Sequence, residues 1–235
     1  MEGESPKGGF KREEMTTRVK ICCIQDLEEA QLAISYGASA LGLVSWMPSG
    51  PGPIDEKQIA AIARSAPPFI TTVLLTCEQD PVVIEAQHRR CRTQAIQLVD
   101  VLPRGAHASL RQALPGISLL QVIHVCGEVS MAEAEDVALM VDALLLDSGN
   151  PALTVKELGG TGRTHDWRIS RRIRDAVSIP VILAGGLNPG NVGEAIQAVR
   201  PFAVDVCSGV RTGGRLDESK LAAFMDAVRS AGKNP

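Results

Sequence analysis

The chain alternates short, almost wholly apolar runs with longer segments of helical periodicity. Eight runs qualify as strands: Val19–Ile24, Ala40–Val44, Phe69–Leu75, Ala95–Val99, Ser118–His124, Ala143–Asp147, Pro180–Ala184 and Ala203–Cys207. Runs with so little polar interruption belong to strands buried on both faces, as in a parallel sheet covered by helices. Between them, apolar residues recur at three- and four-residue spacing, for example over 167–177 and 191–199. Helix-start signals stand at Asp26, Asp55 and Asn188, the last followed by Pro189 at the first helical position. Eight repeats of strand, turn and helix predict an α/β fold, a single (βα)8 TIM barrel over residues 18–235. The polar stretch 1–17, rich in Gly, Lys and Glu, reads as a disordered N-terminal tail.

Composition narrows the function more than the fold. Of the 235 residues, 45% are hydrophobic, enough for a large core. A formal net charge of -3 gives no basis for nucleic acid or a membrane surface as partner, whereas a small anion held by local backbone dipoles is compatible with it. The six cysteines show no Cys-x-x-Cys pairing, and no stretch resembles a signal peptide or a membrane span, so free thiols in a cytoplasmic protein are expected. His88, His107, His124 and His165 are scattered without metal-ligand spacing, so neither a metal nor a cofactor is implied. The arginines at 168, 171, 172 and 174, and at 89, 90 and 92, read as solvated helix faces.

In a β/α barrel the chemistry sits at the C-terminal ends of the strands. Three turns there carry glycine: Gly159-Gly160-Thr161-Gly162, Gly185-Gly186 and Ser208-Gly209. Glycine lets backbone N–H groups approach an anion, and helix N-termini beyond such turns add partial positive charge, so the three turns predict a phosphate cradle. Two reactive groups stand at strand ends. Cys22 lies near the end of the first strand, where alternation puts Lys20 and Cys22 on the face opposite Val19, Ile21 and Cys23, and Asp147 ends the sixth. Asp205, on the eighth strand, is a candidate orienting carboxylate. Each also has a plain structural reading, since cysteine is often a core residue and aspartate a turn former.

At these residues the chain resembles the phosphoribosylanthranilate isomerase family of tryptophan biosynthesis. Lys20-Ile21-Cys22 resembles its opening Lys-Ile-Cys-Gly, and Leu145-Leu146-Asp147 its sixth-strand aspartate. Gly159 to Gly162 with Asp166-Trp167, then Ala184-Gly185-Gly186-Leu187-Asn188-Pro189, then Val204 to Val210, complete the order over residues 18–231. The resemblance implies an Amadori rearrangement of a phosphorylated sugar amine, with the cysteine matching Cys22 as general base and the aspartate matching Asp147 as general acid. It implies side-chain proton transfer without a cofactor, in a monomer or a homodimer.

Departures cluster where the family binds the aromatic half of its substrate. The family's Ser-Pro-Arg is Gly50-Pro51-Gly52 here, with Gly52 in the place of the carboxylate-gripping arginine, and Gln-Leu-His-Gly is Gln97-Leu98-Val99-Asp100. Cys23 replaces a glycine, Cys207 a serine, and Arg211 stands where an acidic residue is common. Three readings follow: another cation (Arg104, Arg163 or Arg211) grips the carboxylate, the isomerase acts on a different phosphoribosyl aglycone, or the barrel binds phosphosugars without catalysis.

Overall fold

The computed structural model describes residues 17–149 and 162–232. The tail expected over 1–17 lies outside them except for Thr17, as do Gly159, Gly160 and Thr161. Eight parallel strands close into a barrel in sequence order: β1 (Arg18–Ile21), β2 (Ala40–Val44), β3 (Thr71–Thr76), β4 (Ala95–Leu98), β5 (Ser118–His124), β6 (Ala143–Asp147), β7 (Val181–Leu183) and β8 (Ala203–Val206). The helices between them are α1 (Leu27–Ser35), α2 (Glu56–Ser65), α3 (Pro81–Cys91), α4 (Ala106–Ala113), α5 (Val129–Ala138), α6 (Trp167–Ala176) and α7 (Val192–Val199), and α8 (Glu218–Ala231) follows β8. The (βα)8 barrel read from the strand pattern is the observed fold.

Two apolar cores explain why the strands show no polar face. Outward side chains such as Ile21, Leu43, Leu74, Leu146 and Val204 pack under the helices. Inward ones such as Val73, Leu75, Val122, Leu145 and Ile182 fill the barrel. Aspartates start most of the helices: the side chains of Asp26, Asp55, Asp80, Asp166 and Asp217 each accept a backbone N–H of the first turn. Caps of this type are each worth about 1 kcal/mol. On α6, Ile169 and Ile173 face the core, while the arginines predicted as a solvated face make surface ion pairs with Asp166, Asp175 and Glu128.

Two local expectations are corrected. Asn188 does not cap a helix starting at Pro189; its side chain accepts the Gly190 N–H at 2.8 Å inside a turn, and α7 begins at Val192 with Asn191 before it. The first strand ends at Ile21, short of Ile24, because Cys23 takes a left-handed backbone (φ 62°) that no strand continues through.

The seam where the barrel closes, between β1 and β8, is held by a buried ion pair from beyond the last strand. The chain leaves β8 through a 3-10 turn (Ser208–Val210) and a small hairpin, β9 (Arg211–Thr212) and β10 (Arg215–Leu216). Arg211 donates to the Glu29 carboxylate at 3.0 and 3.1 Å and to the carbonyls of Cys22 and Cys23. Glu29 also accepts the N–H groups of Gln25 at 3.1 Å and Leu216 at 2.9 Å. Burial opposes its ionisation, but Arg211 and these N–H groups prevail and hold its carboxyl below the usual range. The stabilisation is therefore present at neutral pH and is lost as the pH falls through that lowered value. Replacing Arg211 by Met leaves a buried carboxylate unpaired and is expected to cost about 3–5 kcal/mol in urea denaturation. The Arg211→Met/Glu29→Gln double variant is expected to lose less than the sum of the single changes; additive losses would refute the pair.

Candidate active site

At the C-terminal end of the barrel lies a cavity open to solvent, of about 700 Å³ with its solvent-filled mouth included. The glycine turns after β6, β7 and β8 supply one wall through Gly162, Gly185, Gly186 and Ser208, and the ends of β2, β3 and β4 supply the opposite one through Val44, Leu75, Gln97 and Val99. Cys22, Asp147 and Asp205 stand between the walls. The structure thus brings to one cavity the described residues assigned to catalysis or phosphate binding from the sequence except Gly209, which does not line it and only shares the turn of Ser208.

Lys20 organises the charges. Its ammonium is buried inside the barrel and donates to Asp205 Oδ1 at 2.8 Å, on the strand directly paired with its own. Burial alone would lower the lysine pKa; the negative charges of Asp205 and Cys22 reverse this and raise it, so Lys20 stays charged. The neighbouring Cys22 thiol is held below its ordinary value, first by its hydrogen bond with Cys23 and further by Lys20, against burial and the Asp205 charge. Asp147 is pushed the other way. Burial raises its carboxyl above the usual range and the Asp205 charge adds to this, while the Ser148 N–H at 2.7 Å and the adjacent His124 only partly offset it. One group is thus biased toward the anion and the other toward the neutral acid, across the same cavity. Room for Cys22 and Lys20 comes from Gly42 on β2, where a Cβ would lie 2.8 Å from Cys22 Sγ and 3.0 Å from Lys20 Nζ.

The glycine-bearing wall is largely backbone. Gly185 and Gly186 both have left-handed φ, and neither N–H is hydrogen-bonded among the described residues. A side chain at Gly209 would drive into the Leu187 carbonyl, so the turns after β7 and β8 pack together only as glycine. Ser208 and Gly209 lie within a single 3-10 turn, and α7 starts six residues beyond Gly186, counting from 186 to 192, so no α-helix begins directly after either turn.

On the opposite wall the missing arginine has a steric explanation. Gly52 has φ 87°, and a Cβ there would lie 2.5 Å from Cys23 Cβ and 3.1 Å from Cys23 Sγ. The cysteine that replaces glycine at 23 occupies the space that any side chain at 52 needs. The two departures are one change. Cys23 therefore does not point outward as strand alternation predicted; its left-handed backbone turns it into the cavity, where its thiol reaches the Pro51 carbonyl at 3.5 Å. Of the cations offered as substitutes, Arg211 is consumed by Glu29 and two carbonyls, which removes it. Arg104 and Arg163 both lie exposed on loops, before α4 and before α6.

Lys20 and Gln97 were not assigned roles from the sequence. Alternation put Lys20 inside the barrel, but its partner is 185 residues away. Gln97 is buried in the cavity wall with its side-chain oxygen unpartnered among the described residues. His124, on β5 beside Asp147, is committed to the Val99 carbonyl at 3.0 Å.

The steric link between positions 23 and 52 is testable by a double-mutant cycle. Gly52→Ala is expected to destabilise the fold by about 1–3 kcal/mol, from the left-handed backbone together with the clash. Cys23→Gly is expected to recover the clash part, giving a coupling of about 1 kcal/mol or more; a coupling near zero would refute the exclusion.

Known proteins place this architecture. A family model described as N-(5'phosphoribosyl)anthranilate (PRA) isomerase matches residues 19–227. An N-(5'-phosphoribosyl)anthranilate isomerase of Methanocella arvoryzae is 37% identical over 214 residues, 91% of this chain and 98% of the relative. One of Haloarcula marismortui is 38% identical over 219 residues, 92% of this chain and 97% of the relative. Among solved structures, the Thermotoga maritima enzyme superposes with a TM-score of 0.79 at 32% identity, over 91% of this chain and 99% of that one. A phosphoribosyl anthranilate isomerase in complex with reduced 1-(o-carboxyphenylamino)-1-deoxyribulose 5-phosphate superposes with a TM-score of 0.76 at 30% identity, over 91% and 99%. With the barrel, the cavity and these matches spanning nearly its whole length, the chain belongs to the N-(5'-phosphoribosyl)anthranilate isomerase family.

Proposed function

We propose that the protein converts N-(5'-phosphoribosyl)anthranilate to its aminoketose by an Amadori rearrangement in which Asp147 is the general acid and Cys22 the general base. Asp147 gives its proton to the ring oxygen as the nitrogen lone pair opens the ribose to an iminium. The Cys22 thiolate then takes the proton from C2, yielding an enolamine that tautomerises to the ketone. The opposed shifts of these two groups across one cavity carry this reading, because the reaction needs an acid that keeps its proton and a base that has lost it.

In this reading the turns at 159–162, 185–186 and 208–209 hold the phosphate through backbone N–H groups. The aromatic ring lies against Val44, Met47, Leu75 and Val99. The same reading makes Lys20 and Asp205 positioning residues, the first stabilising the thiolate and the second keeping Lys20 in place. The protein is expected in the cytoplasm, where its free cysteines stay reduced, as a monomer or homodimer. The exclusion of a side chain at Gly52 favours a second reading of the aglycone, in which the natural substrate is a phosphoribosyl amine whose aromatic part carries no carboxylate.

Turnover of N-(5'-phosphoribosyl)anthranilate, followed by anthranilate fluorescence, tests both readings. Cys22→Ala and Asp147→Asn are each expected to lower kcat by about 10²- to 10⁴-fold with far-UV circular dichroism unchanged. An inactive, folded wild type would refute the assignment. Comparison with N-(5'-phosphoribosyl)aniline separates the aglycones. A carboxylate grip makes the anthranilate compound better by about 30-fold or more, the effect of a desolvated charge pair worth about 2 kcal/mol, whereas equal kcat/KM values support the uncharged aglycone.

The pH profile of kcat/KM tests the role of Lys20. Activity rises with pH as Cys22 loses its proton and falls as Asp147 loses its own. Lys20 lowers both pKa values, so Lys20→Met is expected to move both limbs to higher pH by roughly one unit. Lys20→Met/Asp205→Asn, which removes both charges, is expected to shift them much less; equal shifts in the two variants would refute the role.

A further inference from the structure

Cys23 and Cys207 form a thiol pair that the isomerisation does not use. They stand at the ends of β1 and β8, adjacent strands in register (Ile21 opposite Val206), and both line the cavity. The Cys207 thiol donates to Cys23 Sγ across 2.7 Å, well inside ordinary contact of two sulfurs, and both cysteines are free. Disulfide formation brings the sulfurs to about 2.05 Å, so the pair is less than 1 Å from the bonded geometry. Cys23 is buried and Cys207 partly exposed, so an oxidant entering the cavity meets Cys207 first. Gly52, lacking a Cβ, leaves Cys23 the space it occupies.

We propose that Cys23 and Cys207 are a peroxide-responsive modification site, forming a reversible disulfide that switches off the adjacent Cys22. Cys207 sulfur attacks the peroxide O–O bond, giving a sulfenic acid and water. Cys23 sulfur then attacks the sulfenic sulfur, the S–S bond forms as the S–O bond breaks, and the thiol proton leaves with the hydroxyl as a second water. Overall, two thiols and one hydrogen peroxide give one disulfide and two waters, the sulfurs losing the two electrons that the peroxide gains. Transient disulfides of this kind are the form that thiol sensing takes in a reducing compartment.

The consequence for the site comes from the lost thiol proton. The hydrogen bond of Cys23 with Cys22 is the leading influence lowering the Cys22 thiol below its ordinary value. A disulfide sulfur has no proton to donate, so Cys22 reverts toward the thiol. The link also ties Cys23 to the residue preceding Ser208-Gly209, which restrains the phosphate turn.

The test is peptide mapping after a stoichiometric dose of hydrogen peroxide, run beside the turnover assay. The expected result is an intact mass lower by two hydrogens, a peptide linking Cys23 to Cys207, a fall in kcat/KM of at least about tenfold, and recovery of both on adding dithiothreitol. Absence of the linked peptide at a dose that already oxidises Cys22 would overturn the proposal, and so would full activity in the linked form. Cys207→Ser is expected to be inactivated at least about tenfold more slowly; inactivation at the wild-type rate would assign the effect to Cys22 itself. The loss of activity rests on the isomerase reading, but the peptide map needs no substrate, so failure of one is distinguishable from failure of the other.

Discussion

A lysine ammonium inside a barrel is tolerable only with a counter-charge, and the contact of Lys20 with Asp205 is the interaction around which this site is arranged. Both side chains project inward from the two strands that close the barrel, at positions directly opposite in register. A slip of one residue between β1 and β8 would turn one of them outward and leave the other buried and unpaired, so the pair and the closure register specify each other. The same ammonium lies beside Cys22, and the same carboxylate acts at a distance on Asp147. Burial supplies most of the upward shift of Asp147 and the Cys23 contact the largest part of the downward shift of Cys22, and the ion pair adds a smaller push to each, Asp205 on Asp147 and Lys20 on Cys22.

Beyond that pair, the two walls of the cavity obey different rules. One wall is made of glycine turns packed on one another, where Gly186 and Gly209 admit no side chain without collision, so its composition is tightly constrained. The opposite wall is made of side chains, which can be exchanged if their neighbours change with them. Cys23 and Gly52 are such an exchange: a side chain added at the end of β1 requires one removed from the loop after β2. The result is an uncharged wall at Gly52 on the same barrel scaffold.

Much of this was legible in the sequence, because it is local. Alternating apolar runs located all eight strands, and three of them, β2, β5 and β6, with the observed ends. The glycine turns, Cys22, Asp147 and Asp205 were readable as strand-end residues of a barrel. Less legible were features fixed by distant neighbours. The ion pair of Arg211 with Glu29 joins residues 182 apart, which turned an arginine that looked available for substrate into a structural one. The left-handed backbone at Cys23, in a position where cysteine is not the expected residue, both shortened the first strand and reversed the direction of that side chain. Asn188 had every mark of a helix cap, yet its side chain satisfies a turn first and the helix starts later.

The central claim is that the Cys22 thiol ionises more readily than an ordinary thiol because of Cys23 and Lys20, and its ionisation can be read directly. Alkylation of Cys22 by iodoacetamide, resolved from the other cysteines by peptide mass spectrometry and followed against pH, reports the thiolate fraction without any substrate. The account predicts a midpoint below the ordinary thiol value of about 8.5 in the wild type and a higher one in Lys20→Met. A wild-type midpoint at or above the ordinary value, unmoved by removing Lys20, would contradict it.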